Sequence, residues 1–190
     1  MARQRSRKYL AGLFIFLIMV SLSVASKQAL AASAQEIDRE VKVALEQLYS
    51  QSPAAVKISK VSKGVLVFPD MVKAGLIVGG QYGQGALLIN GKNAGYYNSV
   101  AASYGLQAGA QSFGYAMFLM TDSALQYLSK SEGWELGVGP SIVVMDEGMA
   151  KSLTTTTGKD DVYAFIFGQK GLMAGIGIQG SKITRINPDN

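Results

Sequence analysis

Apolar residues recur at helical spacing from Ile37 through Val41, Ala44, Leu45 and Leu48, with Asp38, Arg39, Lys42 and Glu46 on the other faces. This period predicts a helix over 35–50. Ser33 with Glu36 three residues later supplies a capping box at its start. Ser52-Pro53 opens a second, short helix, with Ser as N-cap and Pro in the first helical position. That helix is expected to run to about Ser62 and to stop at Gly64. Beyond Gly64 the helical period disappears. Residues 65–68, 75–80, 85–89, 96–100, 103–110 and 115–120 read as strands. Asn90-Gly91 is a hairpin signal, with Lys92-Asn93 as a possible extension of its loop. Thr121-Asp122 caps a helix over 123–130 whose Leu125 and Leu128 turn inward. Residues 134–136, 140–145, 162–167, 172–178 and 182–186 complete the strands. A polar loop occupies 146–161.

Several strand runs are apolar without strict alternation, as expected when both faces of a sheet are covered. Five glycines fall between Gly75 and Gly85. Glycine weakens a strand and marks a bend, a bulge or a close backbone approach. Pro69-Asp70 reads as a turn between two strands. The fold class is therefore α+β, a single domain. Its N-terminal helices pack on a curved, glycine-kinked, mostly antiparallel, barrel-like sheet that closes on itself.

Composition changes the picture at the N-terminus. Arg3, Arg5, Arg7 and Lys8 precede an apolar run over 10–24, and small residues follow at 29–31 and 32–34. That is the pattern of a signal peptide, expected to span 1–31 and to be cleaved at one of the two adjacent sites. The formal net charge of +5 resides in this segment. It holds 5 of the 18 basic residues and none of the 13 acidic ones, so the remainder is neutral. The charge argument for a nucleic-acid partner then fails. An exported, periplasmic protein, peripheral to a membrane, is the expectation.

The chain contains no Cys and no His. Disulfides, the usual zinc ligands and Ser-His-Asp or Cys-His catalysis are excluded. No cofactor and no enzymatic activity are expected. The glycine segment 79–85 lacks the following helix that a phosphate loop needs. The acidic residues Asp70, Glu135, Asp146, Glu147, Asp160 and Asp161 show no spacing that singles out a metal or acid–base pair.

The ordered blocks Gly64-Val-Leu-Val-Phe-Pro69, Lys73-Ala-Gly75, Gly79-Gly-Gln-Tyr-Gly-Gln-Gly85, Gly105-Leu-Gln-Ala-Gly109, Gly137-Val-Gly-Pro140 and Gly171-Leu-Met-Ala-Gly175 through Gly180-Ser181 resemble the SYLF domain family across 35–186. The resemblance implies a lipid-binding module. It binds phosphoinositides in eukaryotes and is described as actin-binding in yeast members. Tyr97-Asn98 departs from the Trp-Ser of eukaryotic members. For an exported bacterial protein, no actin is expected, and the implied partner is an anionic phospholipid membrane surface. Lys57, Lys60 and Lys63 recur every three residues along the second helix and, with Lys73, are the candidate lipid-binding residues. An ordinary solvated helix face is the alternative for these lysines. For the whole protein, the alternative is a structural or protein-interaction module of the envelope. An outer-membrane barrel is disfavoured by the unalternating runs.

Overall fold

The computed structural model describes residues 32–75, 78–104, 109–130, 134–135, 139–145, 160–171 and 182–188. The expected leader over 1–31, the loop over 146–159 and the strand over 172–178 lie outside these residues.

Helix α1 spans Ala34–Gln51 and begins where the capping signal put it, with the Ser33 hydroxyl accepting from the Glu36 amide. Its five predicted apolar residues are all buried. Helix α2 spans Pro53–Ser59, and the Ser52 hydroxyl accepts from the Ala55 amide. It ends earlier than expected, because the amides of Val61 and Ser62 both turn back to the Ile58 carbonyl.

The strands are β1 (Gly64–Gly75), β2 (Val78–Ile89), β3 (Lys92–Tyr104), β4 (Gly109–Leu119), β5 (Trp134–Glu135), β6 (Ile142–Met145), β7 (Val162–Gly171) and β8 (Lys182–Ile186). Helix α3 (Asp122–Ser129) follows β4, capped by Thr121 as predicted. The strands form one sheet in the order β5-β8-β3-β2-β1-β4-β7-β6, antiparallel except for the β6–β7 pair. The α+β class and the N-terminal helices agree with the sequence; closure does not. Among the described residues the order is open, with β5 and β6 at its two edges.

Pro69-Asp70 is not a turn. The β1 strand runs through it by a bulge: Phe68 pairs with Tyr115 and Met71 with Phe113, so Pro69 and Asp70 together stand opposite Gly114. A bulge leaves a residue out of the ladder, which suits a proline without an N–H. The same extra residue shifts the β1–β2 register between Val67 and Val72. Here the glycines are explained. A side chain on Gly85 would drive its Cβ into the Val67 carbonyl oxygen, and one on Gly83 would meet Met71 and the Asp70 carbonyl. The glycines let β2 lie against the bulge; they do not close a barrel. The β2–β3 hairpin is a two-residue turn, with Asn90 at φ 52° and Gly91 at φ 73° between the paired Ile89 and Lys92. These are the two positive φ values that a type I′ turn demands.

Both faces of the sheet are covered over much of its area. On one face, Val65, Val67, Ala86, Phe118 and Phe165 pack against α1 and α2. The Phe118 and Phe165 rings meet edge to face at 5.4 Å. On the other face, Leu66, Phe68, Met117 and Ala164 pack with Ala124 and Leu128 of α3. Asp161 ties the α3 end together, accepting from the Thr121 hydroxyl and from the Ser141 amide and hydroxyl. This is a structural role for one of the acidic residues.

Helix α1 crosses the strands from Ala32, whose amide donates to Gln84 Oε1 on β2, to Gln47, which lies over Gly168 on β7. On the way it brings Glu40 near the bulge. Partial burial, and then the charges of Glu36 and Asp70, push the Glu40 pKa up against the opposing pull of Arg39. A carboxyl whose pKa is higher folded than unfolded favours the fold when protonated and loses that contribution as pH rises through the folded value. Glu40→Gln is therefore expected to raise the melting temperature slightly at pH 7. The gain should vanish below the ordinary carboxylate value of 4.5. Melts of both proteins across that range check it; a gap independent of pH would refute the assignment.

Candidate functional site

On the helix-bearing side a groove of about 680 Å³ opens between α1, the link from α2 to β1, and the Asn90-Gly91 turn. Its apolar floor is Val41 and Leu45 of α1, Val65 of β1 and Leu88 of β2, with the Tyr49 ring at one end. These residues belong to, or pack on, the core beneath the helices, so the floor is set by the fold. Lys42, Lys60 and Lys63 stand around the groove.

The local structure places each lysine. Lys42 follows the buried Val41 on α1 and is itself exposed. Lys60 is the C-cap of α2, and Lys63 immediately precedes β1. The Lys63 ammonium lies 3.6 Å from an Asp122 carboxylate oxygen, with the two side chains 51% and 72% exposed. An ion pair so open to water contributes little, and it leaves Lys63 available to another anion.

Two carboxylates also line the groove, Asp38 and Glu46. Asp38 is already engaged. Asn93 donates to one of its oxygens and the Tyr96 hydroxyl donates to the other at 3.1 Å. Burial, followed by the hydrogen bond to Asp38 and its charge, pushes the Tyr96 pKa up. Burial likewise raises Tyr49, partly offset by its hydrogen bond with Ser59. Both phenols remain neutral donors at physiological pH. The arrangement is an apolar trough whose rim carries three ammonium groups, two carboxylates and several neutral hydrogen-bonding groups, so cations outnumber anions by one. Chemically it fits an amphiphile whose polar end is anionic.

Of the predicted residues, Lys60 and Lys63 are brought together at the groove. Lys57 is exposed on α2 but does not line it. The helix ends at Ser59, so the three-residue spacing does not continue as one helical stripe. Lys73 is a correction: it is only 2% exposed. The bulge at Pro69-Asp70 shifts the alternation of β1 by one residue. Lys73 consequently shares the side of Met71 and Phe68, facing away from α1 and α2. It pairs with Gln81 on β2 and Gln111 on β4, both nearly buried. From that position it does not reach a membrane surface. Lys42 was missed by sequence reasoning. Its signal was weak: one basic residue on the polar side of an amphipathic helix, whose neighbour in space is known only once α1 lies across the sheet.

A family model described as "Las17-binding protein actin regulator", Ysc84, matches residues 100–190. The match begins within β3 and takes in β4, α3 and the last four strands. The groove, built from residues 38–93, precedes it. No curated protein matches the chain.

Proposed function

Over residues 100–190 the chain belongs to the Ysc84 (SYLF) family, and from that premise we propose that it binds anionic phospholipid without catalysing a reaction. The family stands for lipid or actin binding. The signal-like segment over 1–31 directs the choice between them: an exported protein, acting at a membrane face of the cell envelope, meets phospholipid rather than actin.

The observation that carries the reading is the groove. Lys42, Lys60 and Lys63 stand above Val41, Leu45, Val65 and Leu88. Each lysine near an anionic surface contributes about 1 kcal/mol. Three alone give weak adhesion that salt removes. The apolar trough supplies what charge alone lacks, a place for the first methylenes of an acyl chain at about 0.8 kcal/mol each. Phosphatidylglycerol and cardiolipin combine the two features.

The test is sedimentation of the protein with vesicles of phosphatidylcholine alone, or with phosphatidylglycerol or cardiolipin added, over a range of salt. The protein should pellet with the anionic vesicles, progressively less as salt rises, and stay in solution with the neutral ones. Equal behaviour with all three compositions would remove the proposal.

A further inference from the structure

The two carboxylates at the rim of the groove are held differently. Asp38 is fixed from the sheet side. Asn93 donates to one of its oxygens and Tyr96 to the other. Asn93 is itself anchored, its side-chain oxygen accepting from the Gly95 amide at 2.8 Å. Helix α1 and the start of β3 together thus orient this carboxylate at the groove. Glu46 stands about two turns further along α1 and is exposed.

An ionised carboxylate has acceptor room for about four hydrogen bonds. The bonds from Asn93 and Tyr96 leave about half of that room open. An oriented acceptor with open capacity calls for a donor from the ligand.

The surrounding charges say what carries that donor. Lys42 follows Asp38 by four residues, so the two side chains are neighbours on one face of α1. The charged groups of the α1 wall are Asp38, Lys42 and Glu46, and those of the α2–β1 wall are Lys60 and Lys63. The groove is therefore polarised across its width, with both anions on one side. A bare phosphate held by the lysines has a carboxylate close by and is repelled by it. A phosphate esterified to a hydroxylated group is not in that position. Its hydroxyls reach from the phosphate to the carboxylate and make charge-assisted hydrogen bonds, the stronger kind. A glycerol head group covers the short span between Lys42 and Asp38.

We infer that Asp38 determines specificity in the groove: it accepts from the hydroxyls of a phosphatidylglycerol head group while the lysines hold the phosphate. The inference rests on the lipid reading above and narrows it to anionic phospholipids whose head groups bear hydroxyl donors. Phosphatidate carries at least as much charge but no hydroxyl beyond the phosphate, so it is the weaker ligand. Phosphatidylethanolamine also offers a donor, but it is zwitterionic and leaves the cation excess of the rim unmatched.

The test uses protein expressed from the full coding sequence. It is sedimented with phosphatidylcholine vesicles containing equal fractions of phosphatidylglycerol, phosphatidate or phosphatidylethanolamine. Phosphatidylglycerol should bind at least threefold more tightly than phosphatidate, although diffuse charge alone favours phosphatidate. Asp38→Asn removes a negative charge and the oriented acceptor together. It should weaken phosphatidylglycerol binding at least threefold and leave phosphatidate binding equal or tighter, so that the preference is lost or inverted. Glu46→Gln removes the same charge two turns away and should keep the preference. The ratio of the two lipids is internal to each variant, so a partly unfolded Asp38→Asn preparation still reports it. Equal binding of the two lipids by the parent, both tighter than phosphatidylcholine, overturns this inference and leaves the lipid reading standing. A parent that binds no anionic vesicle overturns both. Equal losses for both lipids in Asp38→Asn overturn it too, by making Asp38 only a tie between α1 and β3. Phosphatidylethanolamine binding as tight as phosphatidylglycerol overturns it by making an ammonium the donor.

Discussion

Gly85→Ala is expected to lower the melting temperature by about 10 °C, while Gly80→Ala, five residues away on the same strand, leaves it unchanged or slightly higher. At Gly85 the added Cβ would collide with the Val67 carbonyl, and it would stand 2.9 Å from the Phe68 Cα. These are backbone atoms held on both sides, by the β1 pairings with β2 and β4. No flexible side chain is available to move aside. Overpacking a core costs about 1–3 kcal/mol even where side chains yield, so a backbone collision belongs at or above the top of that range. At about 2–4 °C per kcal/mol for a domain of this size, 3 kcal/mol corresponds to the stated shift. At Gly80 the nearest atom is 4.0 Å away. The variant there loses no contact and gains a few tenths of a kcal/mol by restricting the unfolded chain. Thermal melts followed by circular dichroism compare the two directly. Equal shifts would mean that the bulge does not hold β1 against Gly85.

The contrast between these two glycines shows how far the sequence can be read. Glycine density announced an irregular sheet, because each glycine in a strand is a local cost that needs a reason. Which glycine is indispensable depends on whose backbone passes over it, and that is long-range information. Local signals translated well. Ser33, Ser52 and Thr121 cap the helices they were expected to cap, and Asn90-Gly91 makes a two-residue turn. Each of these signals acts within four residues. Pro69 was misread because a proline after an apolar run has two solutions, a turn or a bulge. Only the pairing of β1 with both β2 and β4 selects the bulge. That one extra residue then inverted the side on which Lys73 and Val72 fall. The lysine went into the covered face and the valine to the surface. A single residue of register exchanges the faces of a strand. A bulge does the same from its position onward. The exposed cross-strand row of Val72, Tyr82 and Val100 was invisible for the same reason, since its members are brought together only by register. The groove was half legible. Lys60 and Lys63 were found as part of a basic run, but Lys42 joined them through the crossing of α1 over the sheet.

That difference sets the second large expectation. Replacing Lys42, Lys60 and Lys63 together by Gln should weaken binding to phosphatidylglycerol vesicles about 150-fold at low salt, and Lys57→Gln alone should weaken it less than fivefold. The first three line the groove and Lys57 does not. Three charges at about 1 kcal/mol each amount to about 3 kcal/mol, and each 1.4 kcal/mol is a factor of ten. The lysines are exposed, and the Lys63–Asp122 pair is too open to water to matter for stability. The triple variant should therefore melt within about 2 °C of the parent, as surface substitutions do. The salt dependence is the sharper readout. Binding by the parent falls steeply between low and physiological ionic strength, and binding by Lys57→Gln should fall almost as steeply. The triple variant should retain only a weak, nearly salt-independent remainder from the apolar trough. If Lys57→Gln weakened binding as much as the triple variant, the membrane would be reading the diffuse positive charge of the helix-side surface. The shape of the groove would then play no part. Unequal losses at equal stability would tie the anion to the rim that α1, the α2–β1 link and the β2–β3 turn build together.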